Sequence, residues 1–225
     1  MKRLLLVLLC FPLAAQAQET KTSIGFNFNP GYSDVHYMTW SSVSEDYTDS
    51  INALESGVFT FSGHLFFRHQ LTERLELSWG IGYRDLGYKS KAEMVVLPNG
   101  TQEFSNTTFR QGFLQFPVSL NVNIIGGLYV SGGIIASTLI GAKYRQEMTD
   151  LTIIDPNLTG GDQRNLKTFQ LSSTFGVGYK MKLTEQWSMY VEPSFSYCFT
   201  PQQSNEPFDR SPWRVGANIG FVHRF

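Results

Sequence analysis

The feature that most constrains the fold of this chain is a two-residue alternation of apolar and polar side chains. Between Trp187 and Phe199 every second residue is apolar and the residues between them are mainly polar. The segment from Phe169 to Met181 repeats the pattern, and only a short stretch around Thr184 separates the two. Successive side chains of a β-strand point to opposite faces of a sheet, so this period predicts strands with one apolar and one polar face.

The same alternation along the whole chain predicts eight strands. Their approximate bounds are 22–31, 57–68, 74–86, 109–124, 128–144, 168–183, 186–199 and 213–225. The connections alternate in length: those at 69–73, 125–127 and 184–185 are short, and those at 32–56, 87–108, 145–167 and 200–212 are long. An even number of strands with short turns at one end and long loops at the other is typical of outer-membrane β-barrels.

The N-terminus has the organisation of a secretory signal peptide. Lys2 and Arg3 precede an apolar run, and Ala15-Gln16-Ala17 fits a small-x-small cleavage site. We therefore expect a signal peptide at 1–17 and a barrel domain at 18–225. The alternatives are a short membrane anchor, for which the apolar run is too short, and a lipoprotein signal at Cys10, where Leu9 stands in place of the usual small residue.

Charge and cysteine content restrict the possible partners and the means of stabilisation. The chain has 18 Lys and Arg against 19 Asp and Glu, and removal of Lys2 and Arg3 leaves 16 against 19, a net charge of −3. This balance provides no basic surface for nucleic acid, so no nucleic-acid partner is expected. Cys198 would be the one cysteine after cleavage, and an internal disulfide is therefore excluded.

A soluble β-sandwich also alternates, and the composition of the two faces separates it from a membrane barrel. The polar face consists mainly of Ser, Thr, Asn, Gln and Gly, as a narrow lumen requires, and large aromatic side chains on the apolar face lie toward strand ends. These aromatic residues are Trp79, Tyr83, Tyr179, Trp187, Tyr197 and Trp213. The prediction is an all-β, transmembrane, antiparallel up-and-down barrel of eight strands in the outer membrane of a Gram-negative bacterium, with both termini periplasmic.

The uncharged stretch from Asn123 to Ala142 is long enough for a membrane helix. It contains five glycines, however, and each interior glycine costs a helix roughly 1 kcal/mol relative to alanine. The barrel interpretation instead makes Gly126-Gly127 a short turn between two strands. In the second of these strands, Ile135 and Leu139 interrupt the alternation, which predicts a partly apolar lumen face.

These segments together resemble the PorT-like outer-membrane β-barrel domain proteins. The stretch "FLQFPVSLNVNIIGGLYVSGGIIASTLIGAKY" from Phe113 to Tyr144 is similar to the middle region of that family, and the closing "PWRVGANIGFVHRF" is similar to its last strand. Gln115 stands where the family usually has an acidic residue. The resemblance implies a barrel in the outer membrane, and the founding member of the family is implicated in a protein secretion system.

Several charged residues fall on the polar parity and are expected to point into the lumen. Because a buried charge is costly unless it is paired, we expect internal ion pairs with Glu76 and Glu192 as shared acceptors. The expected set is Arg68, Glu76, Arg84, Lys180, Glu192 and Arg214. Eight strands leave room for little more than side chains, so a filled lumen is favoured over a wide pore. A gate or a proton pathway is the functional alternative for these charges.

The first long connection is the strongest candidate for recognition. It mixes acidic and aromatic side chains without Lys or Arg between 32 and 56, a composition suited to a basic partner or a divalent cation; the alternative is an ordinary solvated loop. The candidates are Asp34, Tyr37, Trp40, Glu45, Asp46, Tyr47 and Asp49. His36, beside Asp34 and Ser33, is the one histidine on the outer side that could support a lipid-modifying enzyme.

The end of the chain provides a last motif. Phe221 and Phe225 share the apolar parity, and a terminal strand ending in phenylalanine resembles the signal read by barrel-insertion machinery. The expected partners are outer-membrane lipid and lipopolysaccharide, the insertion machinery and an unidentified envelope or surface protein. The expected function is a structural or interaction scaffold without catalysis, cofactor or metal. A narrow small-solute channel and a component of a protein secretion system are the alternatives.

Overall fold

The computed structural model describes residues 22–39, 55–96, 102–147, 152–155, 166–201 and 208–225. Within these ranges the chain forms nine β-strands. They are β1 (Thr22–Thr39), β2 (Glu55–Gln70), β3 (Leu75–Val96), β4 (Gln102–Ile125), β5 (Leu128–Glu147), β6 (Thr152–Asp155), β7 (Phe169–Lys182), β8 (Trp187–Cys198) and β9 (Phe208–Arg224). The predicted signal peptide at 1–17 lies outside the described residues.

Eight of these strands close into an antiparallel barrel. The hydrogen-bonded order is β4-β3-β2-β1-β9-β8-β7-β5, and a further pairing of β4 with β5 joins the two ends. The short β6 pairs with the outer part of β5, from Tyr144 to Glu147. The predicted eight-stranded up-and-down barrel is therefore confirmed. Closure leaves no open sheet edge in the wall, which is a requirement for backbone that crosses a bilayer.

One end of the barrel carries short turns with well-defined chemistry. The turns Leu71–Arg74 and Leu183–Gln186 share the letters Leu-Thr-Glu and the same hydrogen bonds, with the threonine hydroxyl accepting from two backbone N–H groups further along. The third turn is Gly126-Gly127, with φ of 59° and 92°, a left-handed backbone that glycine adopts without strain. The first residues of β1 pair with the last of β9 at this same end. We call it the turn end and the opposite one the loop end.

The two faces of the wall have the composition that the alternation predicts. Phe66 is 1% exposed and Phe67 is 42% exposed, because adjacent residues of β2 point into the lumen and out of the barrel. Large outward side chains include Phe28, Phe61, Leu65, Trp79, Ile81, Phe116, Leu120, Ile134, Phe175, Val177, Tyr179, Trp187, Phe195 and Val215. Buried inward side chains include Asn27, Asn29, Ser62, Arg68, Arg84, Gln115, Asn121, Ser131, Ser172, Glu192, Ser196 and Arg214. An apolar outside and a polar inside are the arrangement of a membrane barrel.

The wall is much taller on one side than on the other. β3, β4 and β5 contain 22, 24 and 20 residues, whereas β7 and β8 contain 14 and 12. Since about 9–11 residues suffice for a strand to cross the bilayer, the tall side continues well beyond it at the loop end. The predicted end of the first strand near residue 31 was therefore wrong, as was the predicted end of the third near residue 86.

The glycine-rich stretch Asn123–Ala142 belongs to β4, the Gly126-Gly127 turn and β5, as the barrel interpretation requires. Among the residues that the structure describes, no helix is long and apolar enough to cross a membrane.

Candidate functional site

The lumen is the candidate site that the inward charges predict, and its side chains form layers along the barrel axis. Nearest the turn end, Lys180 Nζ donates to both carboxylate oxygens of Glu76, at 2.8 and 3.0 Å. The side chains of the pair are 22% and 15% exposed. Asn123 Nδ2 also donates to Glu76, at 3.4 Å. This carboxylate is held by a cation and an amide, a set of partners that offsets the cost of its burial.

Arg68 lies beside this ion pair in a cage of aromatic rings. Its guanidinium carbon is 4.5 Å from the ring centre of Tyr190, 4.9 Å from that of Phe66 and 5.8 Å from that of Tyr129. Arg68 is 5% exposed, and its Nε and Nη1 have no hydrogen-bond partner among the described residues. Cation–π attraction therefore supplies much of what stabilises this charge. We call Arg68, Glu76, Tyr129, Lys180 and Tyr190 the turn-side layer.

An amide network occupies the middle of the lumen. Asn27 and Asn29 each donate to Oδ1 of Asn218, at 3.2 and 2.6 Å, and Asn218 Nδ2 donates to Glu192 at 2.7 Å. Asn27 Nδ2 lies 3.5 Å from His64 Nε2, and the backbone N–H of His64 donates to Asn27 Oδ1. Glu192, predicted as an acceptor of ion pairs, thus accepts its hydrogen bond from an amide.

Two further arginines lie nearer the loop end among uncharged partners. Arg84 donates to Ser172 at 3.0 Å and to Ser196 at 2.8 Å. Arg214 donates to Thr60 at 3.1 Å and, at 2.5 Å each, to the side-chain and backbone oxygens of Asn29. We call Arg84, Arg214 and these partners the loop-side layer. The expected carboxylate partners for Arg84 and Arg214 are therefore wrong, because the strands that face these arginines present hydroxyls and amides at that level.

Apolar and aromatic side chains pack together at the loop end of the lumen. Val35 and Tyr88 are buried together, and the Tyr88 and Phe109 rings stack at 5.0 Å. Arg210 Nη1 donates to the Tyr88 hydroxyl at 2.7 Å. Between these residues and the turn-side layer the described side chains leave a cavity of about 70 Å³, enough for about five water molecules.

Cys198 lies in the wall near the loop-side layer. Its thiol is 0% exposed and contacts the backbone oxygens of Leu171, at 3.6 Å, and Thr200, at 3.2 Å. It behaves as a small buried side chain with weak hydrogen bonds.

The structure separates the residues predicted for the first long loop. Asp34, His36 and Tyr37 belong to β1, where they pair with Trp213, Ser211 and Arg210 of β9, so their assignment to a loop was wrong. Trp40, Glu45, Asp46, Tyr47 and Asp49 lie outside the described residues. Ser33 is fully buried and accepts a hydrogen bond from the Gly87 N–H, whereas His36 is exposed. Ser33 is therefore separated from His36, whereas Asp34 and His36 share the outward face of β1.

The two phenylalanines of the predicted insertion signal lie at the turn end. The Phe221 ring stacks on Phe26 of β1 with the ring centres 5.5 Å apart. Phe225 is 64% exposed, and its ring centre is 5.3 Å from that of His223 in an edge-on contact. These contacts place both rings on the outer surface of the closing strands.

One charged pair escaped the sequence analysis because it lies on the apolar parity. Arg110 Nη1 is 2.9 Å from Asp85 Oδ2, on the outer face of β3 and β4. The sequence signal for this pair is that Asp85 and Arg110 both occupy outward positions of neighbouring strands, just beyond Tyr83.

Comparison with known proteins agrees with this architecture. The family model of the outer membrane protein beta-barrel domain matches residues 14–201. No curated protein sequence matches the chain. Similar solved structures include Neisserial surface protein A, at 7% identity, with 89% of this chain and 97% of that one covered and a TM-score of 0.36.

Two other similar structures come from enterobacteria. The attachment invasion locus protein Ail of Yersinia pestis, solved with the heparin analogue sucrose octasulfate, is 10% identical, with 88% and 98% of the two chains covered and a TM-score of 0.34. The outer membrane protease OmpT of Escherichia coli is 9% identical, with 94% and 100% covered and a TM-score of 0.41. The matched family model and the closed barrel place the protein in the outer membrane of a Gram-negative bacterium. The chain belongs to the outer membrane protein beta-barrel domain family.

Proposed function

We propose that this protein is a structural or interaction scaffold of the outer membrane, whose barrel holds the loop end outside the cell and presents it to a partner. The observation that carries the proposal is the layered lumen, where bonded side chains surround a cavity of about 70 Å³. A barrel filled by bonded side chains is a rigid anchor, and recognition then falls to the surfaces outside the bilayer.

The uneven height of the wall supports the same role. At about 3.3 Å per residue and a tilt of about 40°, the 24 residues of β4 rise roughly 60 Å, against an apolar band of about 25 Å. The excess forms a stiff sheet of β3, β4 and β5 at the loop end, with β6 added at its edge. In this proposal the short turns and both termini are periplasmic, as is usual for bacterial barrels.

Conductance distinguishes the scaffold from a narrow solute channel. Purified protein, shown to be folded by its heat-modifiable mobility on a gel, is reconstituted into planar bilayers beside a known porin in the same lipid. We expect no steady ion-selective openings from this protein and clear openings from the porin. Reproducible openings with a fixed reversal potential would replace the scaffold with the channel.

Site-specific crosslinking tests the interaction role in intact cells. A photo-reactive amino acid replaces Tyr47, in the acidic and aromatic segment, and in a second strain Thr72, in a turn. We expect a crosslinked envelope or surface protein from position 47 that is absent from position 72. Equal crosslinking from both positions, or none from position 47, would contradict presentation of a partner at the loop end.

Membership in the PorT-like group is part of the proposal and rests on the stretch Phe113–Tyr144. If the protein is instead a component of a protein secretion system, deletion of its gene should lower the amounts of exported proteins in the culture medium.

The proposal involves no catalysis. Ser33 and His36 lie on opposite faces of β1, which takes the serine out of the grouping that suggested a lipid-modifying enzyme. A His36→Ala strain should keep the lipid A composition of the wild type, and a change in acyl chain number would restore the enzyme hypothesis.

A further inference from the structure

A basic patch lies on the outer face of β3, β4 and β5, directly above the apolar band. Strand register aligns the outward residues of these three strands in rows. From the bilayer toward the loop end, successive rows are Asp85–Gly112–Gly141, Gly87–Arg110–Lys143 and Lys89–Thr108–Arg145. The next outward row toward the bilayer is Tyr83–Leu114–Thr138, and the bulged residue Ile140 beside it is exposed and apolar. The first cations, Arg110 and Lys143, therefore lie two rows beyond Tyr83 and Leu114.

A groove of about 540 Å³ opens in this patch. Gly112 and Gly141 face each other across β4 and β5, and a side chain built on Gly141 would meet nothing within 4 Å. The register of β5 shifts here by one residue, a β-bulge, and its regular pairing with β7 ends at Thr138. The low glycine floor and the bulge together create the depression.

Cations are concentrated around the groove, and Arg110 is held in place by two hydrogen bonds. Arg110 Nη1 binds Asp85 at 2.9 Å and its Nη2 donates to the Phe59 backbone oxygen at 3.1 Å. The Asp85 side chain is 6% exposed and that of Arg110 is 33% exposed, so the cation faces outward over its carboxylate. Lys143 lines the groove and is exposed. The three rows together carry four cations and one carboxylate, a net charge of +3.

We propose that this groove binds a phosphorylated lipid of the outer leaflet, the phosphate-bearing glycolipid that lines the loop-side surface of the outer membrane. Arg110 and Lys143 contact the headgroup phosphate, and an acyl chain lies along Tyr83, Leu114 and Ile140. The occupant is a lipid because the surface below the cations faces the bilayer, where a soluble partner has no access, and because a cationic row at that depth complements a phosphate. The inference rests on the proposed orientation, with the loop end outside the cell, but not on the scaffold role.

The test measures retention of diphosphoryl lipid A by the folded, detergent-purified protein, using native mass spectrometry. The main variant is Lys89→Gln/Lys143→Gln, which leaves the Arg110–Asp85 pair intact. A matched control, Lys182→Gln, removes an exposed lysine at the turn end. We expect the double variant to bind diphosphoryl lipid A roughly tenfold more weakly and the control to bind it as the wild type does.

Two further arms decide the chemistry of the ligand. Lipid A without phosphates should bind the wild type as weakly as diphosphoryl lipid A binds the double variant, and inorganic phosphate at the same concentration should not displace diphosphoryl lipid A. Gly141→Leu fills the groove without removing a charge and should also lower retention. Equal retention by wild type and both variants, equal binding of phosphate-free lipid A, or displacement by inorganic phosphate would each overturn the proposal.

Discussion

The turn-side and loop-side layers of the lumen both bury cations, and they do so with different partners. Lys180 in the turn-side layer has a carboxylate, and Arg68 has three aromatic rings. Arg84 and Arg214 in the loop-side layer have hydroxyls and an amide. A guanidinium spreads its charge over five N–H groups and can be satisfied by several neutral oxygens, whereas a lysine presents one compact charge. The two layers should therefore respond differently to the loss of one partner.

The largest effect is expected from Glu76→Gln. The substitution leaves Lys180 partly buried without its carboxylate, and it should lower the free energy of unfolding by about 2–3 kcal/mol. Urea unfolding from lipid vesicles, followed by tryptophan fluorescence, measures the change. The variant Glu76→Gln/Lys180→Met removes both charges and should recover most of the loss. A single variant as stable as the wild type would mean that the pair adds nothing to the turn-side layer.

A smaller effect is expected from crowding the same layer with Gly178→Ala. A Cβ at this position overlaps the ring of Tyr129, which is 1% exposed and cannot move without disturbing the aromatic cage. We expect a loss of about 2 kcal/mol in the same unfolding assay. Gly132→Ala is the matched control, because its Cβ would meet nothing within 4 Å. Comparable losses in both variants would show that backbone flexibility, and not the Tyr129 contact, decides the outcome.

In the loop-side layer, Thr60→Val should cost about 1 kcal/mol. It removes the acceptor of the Arg214 Nε–H while both bonds to Asn29 remain. Unfolding in urea is again the measurement, with Thr60→Ser as the variant that keeps the hydroxyl. A loss as large as that of Glu76→Gln would erase the distinction between the layers.

The smallest effect is expected from Arg84→Met, which removes a buried cation that has no carboxylate partner. The freed hydroxyl of Ser196 borders the cavity, where water can replace the lost donor. We expect a change of less than about 1 kcal/mol in either direction. Lys180→Met is the comparison, since loss of that cation leaves the Glu76 carboxylate without its ion-pair partner. Equal losses in the two variants would contradict the difference in pairing.

The alternation in the sequence was sufficient for the closed barrel and for the direction of each side chain within the bilayer. It failed where β1 leaves the bilayer: Asp34 and His36 are outward but polar, so the pattern stops while hydrogen bonding continues to Thr39. Alternation reflects the surroundings on the two sides of a strand, and above the apolar band the outward side meets water instead of lipid. The lengths of the tall strands were therefore underestimated.

The lumen illustrates a second limit. Parity identified Arg84 and Arg214 as inward, yet their partners depend on the level at which strands far apart in sequence meet. That level is set by the shear of the barrel, which a single strand does not encode. The Arg110–Asp85 pair was missed for another reason, because only charges on the polar parity were considered as candidates for pairing.

The buried thiol of Cys198 provides a way to measure how long barrel closure takes. During transit through an oxidising compartment the unfolded chain exposes this sulfur to oxidants and to other thiols. Once β7 and β8 pair, the thiol is 0% exposed and no longer reacts with oxidants or alkylating reagents in solution. The rate of alkylation at Cys198 therefore reports how long the chain remains unassembled, without any engineered label, and rapid closure protects the protein from crosslinking during export.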